Sequence, residues 1–468
     1  MMRLLLVVVM LLLAGCQPQL AQQVRPDQLS FPELEFNFPQ VEKRQLTNGM
    51  KLYLKEDHEL PLVDVTLSIA GGAIEVPLEK TGLAQLFAAT LETGGAGDLS
   101  PEQLEAELEA MAAELSIGSS TYRYTVDLSL HQQDLARGVE ILADLLRRPR
   151  FDEKRFELAR KQLIEQVYRQ NDDPGSVAAR LLNAAVYPQH PFGSFPQLET
   201  LETLSSADLR WVQEDCLQPG NIWIAVSGAV VESELVKLLE ANFGDWQSDK
   251  QLQPNLPELP PAQAGRVFVA TKEIPQTTIM LGHPGINKDN PDMHALRVAN
   301  FILGGGGFNS RMMREIRSNR GLAYSVYSYF KIGRRLPEMF VASSETKCAS
   351  TVEVLDLMRQ LMRQMRDEPI SAEELELAKQ SLINSFVFAF RDTHSIVTQK
   401  LRLDFFDYPD DYMETYREKL AAVTIADVQR VAQKYLRPDQ LQIVLVGDKR
   451  IFSESLAGFD LPVEEVQL

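Results

Sequence analysis

The strongest constraint on the fold is that the chain is written twice. The segment Ser205-Ser206-Ala207-Asp208-Leu209, continuing through Leu217-Gln218-Pro219 to Val226-Ser227-Gly228, recurs as Thr424-Ile425-Ala426-Asp427-Val428 through Leu436-Arg437-Pro438 to Val446-Gly447. Glu157-Leu158-Ala159-Arg160-Lys161-Gln162-Leu163-Ile164 meets Glu376-Leu377-Ala378-Lys379-Gln380-Ser381-Leu382-Ile383 at the same spacing of 219 residues (205 to 424, 157 to 376). That period is far longer than the roughly 20–50 residues of a solenoid repeat, so the unit repeated is a whole domain. A chain of 468 residues is in any case too long for one core.

Both copies follow one order of elements. Ser205 and Thr424 have the chemistry of helix N-caps, with an aspartate in the first turn, and Pro219 and Pro438 stop the helices. Apolar strands are expected over 222–226 and 441–446. The first copy opens with a hairpin at Asn48-Gly49, an alternating strand over 63–69, a proline-started helix at Ser100-Pro101-Glu102 and a second alternating strand over 122–130. The helix over 152–170 reads as core packing. Strands and helices interleave without a regular βαβ rhythm, which predicts α+β domains with helices packed on a mixed sheet. Residues 246–264 contain Pro254, Pro257, Pro260 and Pro261 and read as a linker between a first domain at 40–245 and a second at 265–468.

The amino terminus is read separately. Met1-Met2-Arg3 and the apolar run 4–13 form the n- and h-regions of a signal peptide, too short for a permanent membrane span. The run ends in Leu13-Ala14-Gly15-Cys16, which resembles a bacterial lipoprotein box. Residues 1–16 are therefore expected to act as a lipoprotein signal, Cys16 to accept lipid, and 17–39 to serve as a tether. Gln17 in place of aspartate favours the periplasmic face of the outer membrane. A net charge of −18 opposes binding to phosphate backbones and excludes a nucleic-acid role. Cys216 and Cys348 fall in different copies and are expected as buried free thiols.

Residues 82–94, Gly82-Leu83-Ala84-Gln85-Leu86-Phe87-Ala88-Ala89-Thr90-Leu91-Glu92-Thr93-Gly94, read as a short helix with Gln85, Ala88 and Ala89 on one face. A zinc peptidase helix of the HxxEH type carries two histidines and a general-base glutamate at that spacing. Here the chain has only six histidines, His58, His131, His190, His283, His294 and His394. No two lie within five residues, so no helix can present a His pair, and HExxH is absent as well. Glu92, Glu165 and Gln166 offer oxygens, which suit hard cations better than zinc.

The wording around that helix, Gly71-Gly72-Ala73-Ile74-Glu75-Val76-Pro77 and then Gly82-Leu83-Ala84, resembles the insulinase/pitrilysin family of inverted-motif zinc metallopeptidases. The resemblance implies two homologous α+β domains facing each other across a substrate chamber. It places Gln85 at the first histidine, Ala88 at the general base and Ala89 at the second histidine. The family's third ligand, a glutamate on a later helix, falls on Gln166, and a supporting glutamate falls on Ala159. Every metal-site position is therefore degenerate.

In the second copy, Ile316-Arg317-Ser318-Asn319-Arg320-Gly321-Leu322-Ala323-Tyr324-Ser325-Val326 resembles the family's carboxy-terminal motif, whose arginine and tyrosine reach toward the opposing domain's active site. Arg317 and Tyr324 match it. A guanidinium and a phenol can donate to a scissile carbonyl and to the oxyanion that develops on it. Gly304-Gly305-Gly306-Gly307 lacks a following Gly-Lys-Ser/Thr and reads as a flexible connection, not a phosphate loop. Residues 71–75 are expected as a strand edge onto which an extended peptide adds. Together these readings imply a zinc-less subunit of a heterodimeric peptidase. The zinc would come from an insulinase-family partner, and peptide or unfolded protein would be the substrate. The alternatives are an envelope peptide-binding scaffold without a protease role, and an active metallopeptidase with atypical ligands from Glu92 and Glu165.

Overall fold

The computed structural model describes residues 39–468, apart from 249 and 251. The duplication appears as two six-stranded mixed sheets. The first contains β1 (Glu42–Gln45), β2 (Lys51–Glu56), β3 (Leu62–Ala70), β4 (Glu114–Ser119), β5 (Arg123–His131) and β6 (Ile222–Gly228) in the order β1-β2-β6-β3-β5-β4. The second contains β7 (Arg266–Thr271), β8 (Gln276–Pro284), β9 (Ala323–Phe330), β10 (Met339–Lys347), β11 (Gln442–Gly447) and β12 (Val463–Val466) in the order β12-β7-β11-β8-β10-β9. Five strands correspond one to one between the sheets, with β2 parallel to β6 and β7 parallel to β11. The sixth is filled differently. In the first sheet a hairpin through Gly49, at φ +94°, folds β1 antiparallel onto β2. In the second, the chain returns through helix Lys449–Leu456 and lays β12 parallel to β7.

Local signals explain the helix starts. Thr424 and Asp427 form a capping box, with the Asp427 N–H donating to Thr424 Oγ1 at 3.1 Å and the Thr424 N–H donating to Asp427 Oδ2 at 3.1 Å. The Ser205 N–H donates to Asp208 Oδ2 at 2.8 Å in the equivalent turn. Ser100 caps helix Pro101–Ala110 in the same way, with proline at the first turn. Between the sheets, the described residues of 246–265 have no regular structure, but they are tied down. The Leu252 N–H donates to Asn221 Oδ1 at 3.0 Å and the Asn255 N–H to the Glu75 carboxylate at 3.2 Å.

The two copies are joined by exchanged helices. Helix Pro174–Val186 precedes β6 in sequence, yet it packs on β8 and β11 of the second sheet. Its Val177, Ala178, Leu182 and Val186 are buried among Met280, Val341, Val444 and Val446. Asp173 caps it, accepting from the Ser176 N–H at 2.6 Å, with proline at the first position. The helix 219 residues later (174 to 393, 186 to 405), Thr393–Phe405, packs on β2, β3 and β6 of the first sheet. This second exchange is polar as well as apolar. Thr66 Oγ1 lies 2.9 Å from His394 Nε2, Ser227 Oγ lies 2.8 Å from His394 Nδ1, and Tyr53 donates to Asp404 at 2.9 Å. The Trp223 and Phe405 rings meet edge to face at 4.8 Å.

Two expectations need correction. Residues 71–75 are a turn, not a strand edge. The Gly71, Ala73 and Ile74 amides are already committed to the carbonyls of Tyr122, Ser120 and Thr121, so none is left for an incoming peptide. The glycines at 304–306 are not a flexible connection either. Gly304 and Gly305 belong to a π-helical turn, Phe301–Gly305, which Gly306 caps, and a Cβ on Gly304 would strike Ser328 Oγ and one on Gly305 would lie 2.5 Å from Asn300 Nδ2. Cys216 and Cys348 are buried free thiols, as expected.

His283 sits fully buried on β8. It donates from Nδ1 to the Pro284 carbonyl at 2.8 Å and accepts the Arg437 N–H at Nε2 at 3.3 Å, which fixes the neutral tautomer.

Two outcomes follow. Trp211 and Trp223 lie in the first copy and Trp246 packs on its core from the start of the connection, whereas Leu182 is buried on the second sheet. Leu182→Ala should cost about 2–5 kcal/mol and shift the tryptophan-fluorescence and far-UV circular dichroism transitions equally in urea. Separate transitions would show that the exchanged helices do not couple the sheets. Burial also lowers the His283 pKa to about 4, against 6.5 for an exposed imidazole. The unfolded chain therefore binds the proton first, and stability is lost as pH falls from 6.5 toward 4. Unfolding free energies from urea titrations at pH 7 and pH 5 should differ by about 2 kcal/mol more in the wild type than in His283→Gln.

Candidate functional site

The helix on which the resemblance places a metal site is formed without metal ligands. Helix Leu83–Thr93 begins after Gly82 at φ +108°, where a Cβ would strike Leu201 Cδ2 at 2.6 Å. It buries Leu83, Ala84, Leu86, Phe87 and Leu91 against the first sheet. Phe87 anchors it, 5.0 Å from the Tyr124 ring and 5.7 Å from that of Phe151. The helix packs against Glu153–Tyr168, the helix that carries Ala159 and Gln166.

On this frame, Gln85 is exposed, Ala89 is half-buried and Ala88 is only 3% exposed within the core cluster. Gln166 is exposed one position before the buried Val167, and Ala159 is buried. Glu92 is not free to ligate, because its Oε2 accepts the Ile117 N–H of β4 at 2.6 Å. Among the described residues no group of three His, Cys, Asp or Glu side chains could hold a metal. The histidines are used elsewhere. His58 contacts Glu56 at 3.4 Å, and His131 and His190 each accept the N–H two residues on. His294 packs 5.6 Å from the Tyr416 ring, and His394 joins the exchanged helix to the first sheet. The donor set thus does not fit zinc. Cys16 lies outside the described residues.

Arg317 and Tyr324 are brought together. Arg317 lies near the end of a π-helical segment, Met313–Asn319, which closes through Gly321 at φ +64°. The Gly321 N–H donates to the Arg317 carbonyl and the Leu322 N–H to that of Ile316, both at 2.9 Å, so the chain reverses into β9. Thr346 Oγ1 then donates to the Leu322 carbonyl at 2.7 Å and holds the start of the strand. In the β9–β10 ladder Ala323 pairs with Thr346 and Ser325 with Glu345, so Tyr324 is the extra residue of a bulge. Its phenol ring returns over Arg317, whose guanidinium carbon lies 4.7 Å from the Tyr324 ring and 4.6 Å from that of Phe308.

The electrostatics of this pair are one-sided. Nearby carboxylates are engaged: Glu315 accepts from Arg320 at 2.7 Å and from Asn319 at 2.8 Å, and Glu374 holds Arg311 and Arg314. Among the described residues Arg317 makes no ion pair, so its charge is clamped between two aromatic faces and left unneutralised. Those faces are open to solvent, Phe308 at 65% and Tyr324 at 81% exposed. Phe308 is a member of the constellation that sequence reasoning missed. Its signal was an aromatic placed directly after a glycine run. Tyr327 and Tyr329, stacked at 6.2 Å on the same edge strand, were also missed, although Tyr-x-Tyr spacing puts both on one strand face.

Two family models match the chain, "Insulinase (Peptidase family M16)" over residues 51–195 and "Peptidase M16 inactive domain" over residues 203–382. The chain is 23% identical over 406 residues to an uncharacterized zinc protease YmxG of Bacillus subtilis, covering 85% of this chain and 96% of the relative. It is 21% identical over 399 residues to a non-peptidase homolog YmxG of Helicobacter pylori, covering 85% and 91%. A crystal structure of a peptidase M16 inactive domain from Pseudomonas fluorescens superposes with a TM-score of 0.77 at 24% identity, covering 87% of this chain and 98% of that one. With both domain types matched in order and the two-sheet fold shared, the chain belongs to the insulinase family of peptidases, family M16.

Proposed function

We propose that this chain is the non-catalytic subunit of a heterodimeric insulinase-family peptidase, completing a site whose zinc is held by the partner. The observation that carries the reading is the contrast between its two motifs. The metal face is reduced to Gln85, Ala88 and Ala89, while Arg317 is kept half-buried and without an acid partner among the described residues, against the exposed rings of Phe308 and Tyr324. A chain retained only as scaffold would have no need to hold a guanidinium in this state.

In the assembled enzyme the partner's metal would activate water and polarise the scissile carbonyl. This chain's part is electrostatic. Arg317 donates N–H groups toward the carbonyl oxygen. The Tyr324 phenol donates to the same developing charge. The two domains would form half of the peptide chamber, with the β9 edge and its tyrosines along one wall. Cys16 would carry lipid and hold the complex at the periplasmic face of the outer membrane, with residues 17–39 as tether.

Two experiments test this. The purified chain and a zinc-bearing family member from the same cell should each be inactive or weakly active on peptides, and active together. In the complex, Arg317→Ala should lower kcat by about 10²–10³-fold without changing co-elution, with a smaller loss for Tyr324→Phe. Zinc-dependent hydrolysis by this chain alone would sink the reading. For the anchor, Cys16→Ser should move the protein from the membrane fraction to the soluble envelope fraction, and unchanged fractionation would exclude lipidation there.

A further inference from the structure

A second uncompensated positive site lies inside the exchange between the copies, far in sequence from Arg317. Helix Thr393–Phe405, the turn before it and the first sheet form an open cleft of about 320 Å³ whose polar lining includes Thr66, Ser68, Arg123, Ser395, Thr398 and Arg402. That volume is on the order of ten waters, room for a small anion or for the last residue of a peptide.

The arginines here lack the partners found elsewhere in the same exchange. Lys43 and Lys400 pair with Asp404, and Arg335 pairs with Asp407. By contrast, Arg123 donates only to Ser68 Oγ, at 2.9 Å, and Arg402 only to Gln399. The nearby Arg334 donates to the Tyr408 hydroxyl. Among the described residues none of these three makes an ion pair. Burial and the Arg334 charge hold the Arg123 pKa below its ordinary value, and burial with the charges of Arg334 and Arg123 does the same to Arg402. Asp127 is the carboxylate that Arg123 feels, and it also accepts from Thr66 Oγ1 at 2.5 Å; its one negative charge faces three guanidiniums, those of Arg123, Arg334 and Arg402. Partly buried like charges in excess of their counter-ions are costly to keep, and the missing component has the opposite sign.

We propose that this cleft binds an oxyanion group, with Arg123 and Arg402 as its charged ligands and the Ser68 hydroxyl, which accepts from Arg123, as a further donor. Guanidinium forks match the paired oxygens of a carboxylate or phosphate. Two sources share that chemistry, the free carboxyl end of a peptide and inorganic phosphate.

The test is thermal unfolding of the purified chain at constant ionic strength set by chloride, titrated with inorganic phosphate, with acetylalanine, or with acetylalanine amide. The expected result is a saturable rise in Tm with acetylalanine, phosphate or both, and none with the amide. A response to acetylalanine alone assigns a peptide carboxylate, and a response to phosphate alone assigns the free anion. In Arg402→Gln the response should vanish while Tm without ligand stays at or above the wild-type value, since a repelling charge is gone. Arg402→Lys, which keeps the charge if the glutamine variant misfolds, should weaken the response without abolishing it. No saturable shift in the wild type, or an equal shift in either variant, overturns the proposal.

Discussion

The reciprocal exchange of helices is the constraint on which the rest of the molecule depends. Each sheet has a face covered by a helix from the other copy, Pro174–Val186 on β8 and β11 and Thr393–Phe405 on β2, β3 and β6. Neither copy therefore has a complete core of its own, and the relation between them is set by buried contact instead of by the 246–265 connection. The two exchanges differ in kind. Leu182 and Val186 bury against valines and methionines, which supplies apolar stabilisation without directional demands. His394 and Asp404 must each find specific partners, Thr66 and Ser227 for one and Tyr53 for the other. A helix displaced by a turn would strand those groups, so the polar exchange fixes register while the apolar one adds binding free energy.

Within that frame the metal-site helix has become a packing element. Ala88, where the family resemblance would place a general base, lies inside the core cluster, and a glutamate there would have to be buried or would have to displace the neighbouring turn. Glu92 has taken a structural task, capping the exposed amide of edge strand β4 through Ile117. These contacts would have to be unmade before a ligand set could be rebuilt. The Arg317 corner differs, keeping a half-buried charge under two exposed rings where its acidic neighbours already have partners.

Much of this was legible in the sequence because it rests on local chemistry or on period. The 219-residue spacing located the equivalent elements, the Thr424 and Asp427 pair announced its capping box, and the absence of any close histidine pair ruled out a His-based helix site. The alternation in 63–69 and 122–130 gave β3 and β5 to within a residue or two. What was not legible depends on long-range packing. Nothing in Pro174–Val186 says whose sheet its apolar face will cover. The glycines at 304–306 suggested mobility by composition, whereas they are required by the close approach of Ser328 and Asn300. Residues 71–75 lost their expected edge to three carbonyls in the 120–122 turn, a pairing with no local signature.

The charge distribution links these findings. A chain with net charge −18 has carboxylates in excess, and the acids near Arg317 and near Arg402 are present but committed to other cations or hydroxyls. Positive charge left unpaired in such a chain is therefore not explained by a shortage of acid. At Arg317 the guanidinium is solvated on its free side and braced by rings, so its cost is small and its reach is outward. At Arg123, Arg334 and Arg402 the charges are partly buried and repel one another, so the cost is larger and the missing partner must enter a defined space. The first arrangement suits a transient charge that develops and disappears. The second suits a ligand that stays.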